Sequence, residues 1–181
     1  KDDVYSALVD LATTNSTLTS SDNIAAGAGA DSLTITATGT GAESVTGVTT
    51  SGLEAISITS LSTGAGTLTI DAALMAGVTS IAASNSTTNG AIDFTNLGAL
   101  VAASLSANTG ALTLTYGTTV VSGTTDTQAL TVSGTNAGTF TADGIETIAI
   151  TTATSAATAT VASNAVTNIT VSGDQNLTLA A

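Results

Sequence analysis

Almost every side chain in this 181-residue chain that could do chemistry is an oxygen donor: 13 Asp and Glu residues stand among many Ser and Thr hydroxyls, with no His, Cys, Trp or Pro. Lys1 is the one cationic side chain, and the formal net charge is −12. General acid–base catalysis, activated nucleophiles and zinc sites draw mostly on His, Cys, Lys or Arg, so those mechanisms have no residues to run on. Paired carboxylates can hydrolyse a glycoside, but such clefts hold sugars on aromatic platforms, and only Tyr5, Tyr116, Phe94 and Phe140 are aromatic. The expectation is a non-enzymatic protein. A chain with one cation cannot neutralise a row of phosphates, which argues against nucleic acid, anionic lipid surfaces and phosphorylated substrates as partners. No apolar run reaches the length of a transmembrane span, and no basic region followed by an apolar one opens the chain, so membrane insertion is not expected.

The most specific placement of carboxylates is at Asp22 and Asp31, with Gly27 and Gly29 between them. Oxygen-only ligands suit a hard cation such as Ca²⁺ rather than a transition metal. Read as AGAGADSLT, Ala26 to Thr34 resembles the RTX nonapeptide G-G-x-G-x-D-x-U-x, with Ala26 in place of the first glycine. The resemblance implies glycines that allow a tight turn, an aspartate that binds Ca²⁺ with backbone carbonyls of successive turns, and an inward apolar residue, here Leu33. The candidate metal residues on this basis are Asp22, Gly27, Gly29 and Asp31. The earlier of the two repeats has Ser20 and Ser21 ahead of Asp22 and lacks glycines. Two readings therefore stand: a Ca²⁺ site at Asp22 and Asp31, or a turn that keeps the geometry without the metal.

What must position these residues is one short strand written many times. Gly110 to Thr115 reads GALTLT, Gly66 to Ile70 reads GTLTI, Gly90 to Thr95 reads GAIDFT, and the longer phrase GLEAISIT at Gly52 to Thr59 returns as GIETIAIT at Gly144 to Thr151. Apolar residues at alternate positions suit a strand with one buried face. The phrases recur at a cycle of roughly 20 residues with no helical stretch between them, which predicts an all-β parallel β-solenoid of about seven coils. A β-sandwich is the alternative. Asp2 to Ala12, DDVYSALVDLA, carries Val4, Leu8 and Leu11 at helical spacing and predicts a short N-terminal capping helix. The expected organisation is this helix and a Ser/Thr linker over residues 1–21, followed by a solenoid domain over 22–181. The start at Lys1 and the strand-like ending suggest a piece of a longer protein. T-x-T pairs at Thr34/Thr36, Thr67/Thr69, Thr113/Thr115, Thr139/Thr141 and Thr158/Thr160 place hydroxyls on outer faces.

Taken together, the bias to Thr, Ala, Ser and Gly, the acidic charge, the missing Cys, the RTX-like turn and the E-x-I-x-I phrases resemble bacterial surface-layer proteins of the RTX-containing, type I secreted kind. The resemblance implies an extracellular structural protein whose partner is another copy of itself in a lattice or fibre, with cell-surface polysaccharide as a further partner and Ca²⁺ as cofactor. Under it, Glu43, Glu54, Asp71, Asp93, Asp126, Asp143 and Glu146 face solvent or neighbouring copies and are bridged by Ca²⁺. Large secreted RTX adhesins share these features and give the alternative function. An ice-binding solenoid, suggested by the T-x-T pairs, is the third.

Overall fold

A computed structural model describes residues 1–12 and 15–180 of the chain. Among the described residues every element is a strand and every strand pair is parallel. One wall is an eight-stranded sheet of β1 (Val4–Asp10), β3 (Ser32–Thr38), β6 (Ala55–Ser60), β8 (Ser80–Ser84), β10 (Ala102–Ser106), β12 (Thr127–Ser133), β14 (Thr147–Thr152) and β16 (Asn168–Gly173) in that order. The facing wall stacks β4 (Glu43–Val45), β7 (Thr67–Asp71), β9 (Ala91–Leu97), β11 (Ala111–Tyr116), β13 (Thr139–Thr141), β15 (Ala157–Val161) and β17 (Leu177–Ala180). The chain alternates between these walls, which makes a β-solenoid of about 7 turns. A sandwich is excluded, because its sheets are antiparallel.

Alternation builds the core. Register stacks Leu33, Ile56, Ile81, Ala103, Leu130 and Ile150 in one inward file of the larger sheet. On the facing wall Leu68, Ile92, Leu112 and Phe140 form another, beside Ile70, Phe94 and Leu114. All of these are buried, while the Thr, Ser and Ala between them face outward. Small, β-branched outer residues suit strands that stack without side-chain crowding.

Coil length varies. Bonded residues on successive coils lie 28 apart at Asp3 and Asp31, 23 at Asp31 and Glu54, 27 at Val101 and Gln128, and 20 at Asp126 and Glu146. Some of the longer coils near the start have room for a third wall, in which β2 (Asn23–Ala25) pairs with β5 (Thr49–Ser51) and Thr50 bridges to Met75. Where that wall ends, the cross-section narrows and leaves a step.

The expected N-terminal helix is not formed. Val4–Asp10 is strand β1, in register with β3 over seven residue pairs. The segment satisfies both periods: Val4, Leu8 and Leu11 at helical spacing, and Tyr5, Ala7, Val9 and Leu11 at alternate positions. The second set wins because it lays an apolar face on the core and completes a backbone ladder, a tertiary gain that outweighs local preference. Val9 is fully buried and Val4 is 72% exposed, as the strand requires and the helical stripe does not. Capping falls instead to the segment expected to be a linker. Leu8 N donates to Thr17 Oγ1 at 2.8 Å and Asp10 N to Ser16 Oγ at 2.9 Å, so these hydroxyls close the outer edge of the first rung.

Candidate functional site

Where a rung turns into the larger sheet, some backbone N–H groups have no ladder partner, and a buried N–H must find an acceptor. Carboxylates from the next coil supply it. Asp31 Oδ1 accepts from Asp3 N at 2.6 Å, and Glu54 Oε2 accepts from Asp31 N at 2.7 Å. The Glu54 carbonyl then accepts from Thr79 N and Ser80 N at 2.8 and 3.1 Å. The device is repeated higher up: Asp126 N donates to Glu146 Oε2 at 2.9 Å, and the Glu146 carbonyl accepts from Thr167 N and Asn168 N at 2.9 and 3.0 Å. The recurring phrases GLEAISIT and GIETIAIT are thus one corner cap followed by core residues. They are displaced by two residues along the strand direction, since register puts Ile56 in the file of Ile150 rather than Ile148.

This corner gathers Asp3, Asp31 and Glu54 on three successive coils, with Asp2 Oδ1 accepting from Ala30 N at 3.0 Å beside them. Lys1 Nζ pairs with Asp3 at 2.7 Å across an exposed contact, which is worth little. Asp31 is only 1% exposed, and its Oδ2, like Asp126 Oδ2, is buried without a hydrogen-bond partner. A buried carboxylate oxygen left without a hydrogen bond is costly.

The four residues singled out by the RTX-like turn are divided by the fold. Asp22 precedes β2, where its Oδ2 accepts from Thr19 N at 2.8 Å, while Asp31 precedes β3 and takes part in the corner ladder. Gly27 and Gly29 lie in the intervening turn with φ of +94° and +151°, the positive values that favour glycine. Asp22 and Asp31 therefore work at opposite ends of one turn segment, each on a different backbone N–H. Among the described residues, no three acidic side chains are gathered closely enough to hold a metal ion.

The remaining carboxylates are mostly half-buried caps. Asp71 Oδ1 accepts from Ala73 N and Asn96 Nδ2, both at 3.0 Å, and Asp143 Oδ1 accepts from Asn164 N at 2.9 Å. Glu43 stands beside buried Leu68 at the first rung of the smaller sheet. Asp93 sits between Thr69 and Thr113 on the outer face of that sheet. Desolvation pushes its carboxyl above the ordinary value, against the smaller lowering effect of a hydrogen bond from Thr113.

Hydroxyl files on the same face are interrupted. Register sets Asp93 between Thr69 and Thr113, Ala91 beside Thr67, and Ala111 beside Thr139, while Thr34 and Thr36 lie on the other sheet. The T-x-T pairs do not form an unbroken array.

Two features escaped the sequence reading. One is a buried polar node: Tyr116 donates its hydroxyl hydrogen to Gln128 Oε1, and Gln128 Nε2 donates to Val101 O at 2.8 Å. Its signal was Gln128 itself, which opens Q-x-L-x-V two residues ahead of Leu130 and stands in register with the apolar Ile148 of the next coil. Burial pushes the Tyr116 hydroxyl up to about 12. The other is an apolar cavity of about 490 Å³ at the step where the third wall ends, lined by residues 72–78 with Leu97, Gly98, Ala99 and Val101. Nothing in a local repeat encodes it, because it arises from unequal coil lengths.

Comparison with protein-family models, with curated proteins and with solved structures yields no significant match for this chain.

Proposed function

We propose that the chain is a structural, non-enzymatic segment of a secreted cell-surface protein, and that copies assemble side by side into a surface lattice or fibre with Ca²⁺ shared between neighbouring rods. The observation that carries this reading is the disposition of the carboxylates. Each of those described above is held in place by a backbone N–H, a side-chain donor or its position on a strand, and among the described residues no three converge. Ca²⁺ takes six to eight oxygen ligands, so a set begun on one rod is completed by oxygens of the next. A rod of net charge −12 repels its copies, and a divalent ion at the contact removes that repulsion while joining them. A parallel ladder running the length of the larger sheet supplies the stiffness that such a part needs.

Sedimentation velocity of the chain in millimolar CaCl₂ and in chelator tests the reading. Large assemblies in Ca²⁺ that dissolve in chelator, and that MgCl₂ at equal concentration does not restore, are expected. An identical distribution in all three buffers contradicts ion-shared assembly.

A second reading, a segment of a large secreted adhesin, draws on the apolar cavity at the step, which offers a concave seat to a ligand. Few aromatic side chains are available to strengthen it, since only Tyr5, Phe94, Tyr116 and Phe140 exist and the two Phe residues are fully buried.

A further inference from the structure

The apolar cavity of about 490 Å³ takes no part in ion-shared assembly. Its volume falls in the range of small-molecule sites, roughly 300–1,000 Å³. It arises because the connection after β7, residues 72–79, is longer than its counterpart in the next coil after β9, residues 98–101, where Gly98 and Ala99 offer almost no side chain. Ala72, Met75, Leu97 and Val101 make a buried floor, and Leu74, 54% exposed, stands at the rim.

One charge is fixed at its edge. Asp71 Oδ1 accepts from Ala73 N, in one lining segment, and from Asn96 Nδ2, next to the other. Both bonds fall on Oδ1, which leaves Oδ2 open to a ligand. Asn96 reaches Asp71 through a break in the ladder: β9 carries one residue more than β11 between paired positions, so that Phe94 and Leu97 stand opposite Leu114 and Tyr116. Within this bulge Asn96 has φ of +57°, a left-handed conformation uncommon for residues other than glycine. The extra residue turns Asn96 outward to Asp71 and sends Leu97 inward to the cavity floor, the re-aiming of side chains that bulges provide beside binding sites.

We propose that this cavity binds a small amphiphilic cation, an amine whose hydrocarbon body lies on the apolar floor and whose ammonium group meets Asp71 Oδ2. A neutral apolar ligand seated against Asp71 would strip water from the carboxylate and put nothing in its place, which is costly. An anion is repelled by Asp71 and by the net charge of −12, and the one cationic side chain, Lys1, is paired with Asp3 at the first coil. A cation is drawn by the same field and supplies the missing partner. The site needs neither Ca²⁺ nor a second copy, and it holds whether or not the chain is an adhesin segment.

Met75 is the one methionine of the chain, so labelling with methyl-¹³C methionine gives a single resonance from the cavity floor. In chelator, hexylammonium titrated from about 10 µM to 10 mM, a range that spans the affinities open to so small a ligand, should shift that resonance saturably. The neutral n-hexanol should bind roughly tenfold more weakly, the weight of one charged hydrogen bond, while hexanoate and methylammonium leave the signal unmoved. Asp71→Asn keeps an Oδ1 acceptor for Ala73 and Asn96 and should bring hexylammonium to the affinity of n-hexanol. Gly98→Phe, at a position where a Cβ meets nothing within 4 Å, should leave circular dichroism unchanged and abolish both titrations. No saturable shift in the parent chain, or one that survives Gly98→Phe, overturns the site. Equal affinities for hexylammonium and n-hexanol, or for the parent and Asp71→Asn, overturn the assignment to a cation. A Met75 signal that moves with protein concentration before any ligand is added also overturns it, since a second copy then occupies the cavity. Sedimentation in Ca²⁺ reads lateral assembly separately, so either proposal can fail alone.

Discussion

At Gly66 a Cβ would lie 1.5 Å from the Gly41 carbonyl oxygen of the coil below, and at Gly52, where φ is +68°, a Cβ would lie 2.1 Å from Gly27 O. Coils stacked at the spacing of neighbouring strands, about 4.8 Å, leave no room for a side chain at such corners. Gly66→Ala is therefore expected to destabilise the chain by at least about 2 kcal/mol, the scale of overpacking a rigid site, as read from a urea midpoint. Tyr116 makes a prediction of different sign. Its folded-state value of about 12 lies above that of a tyrosine in the unfolded chain, about 10, because burial favours the neutral phenol. Its contribution to stability is thus complete below pH about 10 and is lost as pH rises toward 12. Phenolate absorbance should show one tyrosine titrating near 12 in the folded chain and none so high after unfolding. Titration of Tyr116 near 10 in the folded chain contradicts the buried node.

Elements divide into those written in a local pattern and those written in register. Leu112 and Leu114, Ile92 and Phe94, and Ile56 and Ile58 could be read as inward pairs because alternation is a property of a few adjacent residues, and all six are buried. β1 was misread for the opposite reason: two periods coexist in VYSALVD, and only pairing with β3 chooses between them. The same limit applies to the corner. Asp31 was visible as the aspartate of a glycine-rich turn, but its bond to Asp3 N spans 28 residues, and no local motif reports that Glu54 will sit on Asp31 N. Glu54 tests whether the corner stabilises the stack. Glu54→Ala leaves the buried-side Asp31 N–H without its acceptor and should cost about 1–3 kcal/mol in urea denaturation. Glu54→Gln retains an oxygen acceptor and should lose less than half of that. Equal effects from the two variants would show that charge rather than the hydrogen bond matters there.

The whole molecule is a stack in which each rung contacts mainly its neighbours, so architecture was legible as repetition while cross-section was not. Coil lengths from 20 to 28 residues decide where the third wall exists and where the apolar step opens. The same irregularity spreads carboxylates along the rod instead of collecting them, and it is this spread that the functional reading rests on. Electron microscopy of the purified chain, in millimolar Ca²⁺ and in chelator, tests that reading most directly. Ordered sheets or fibres in Ca²⁺, with only dispersed rods in chelator, are the predicted result. Dispersed rods under both conditions would contradict it.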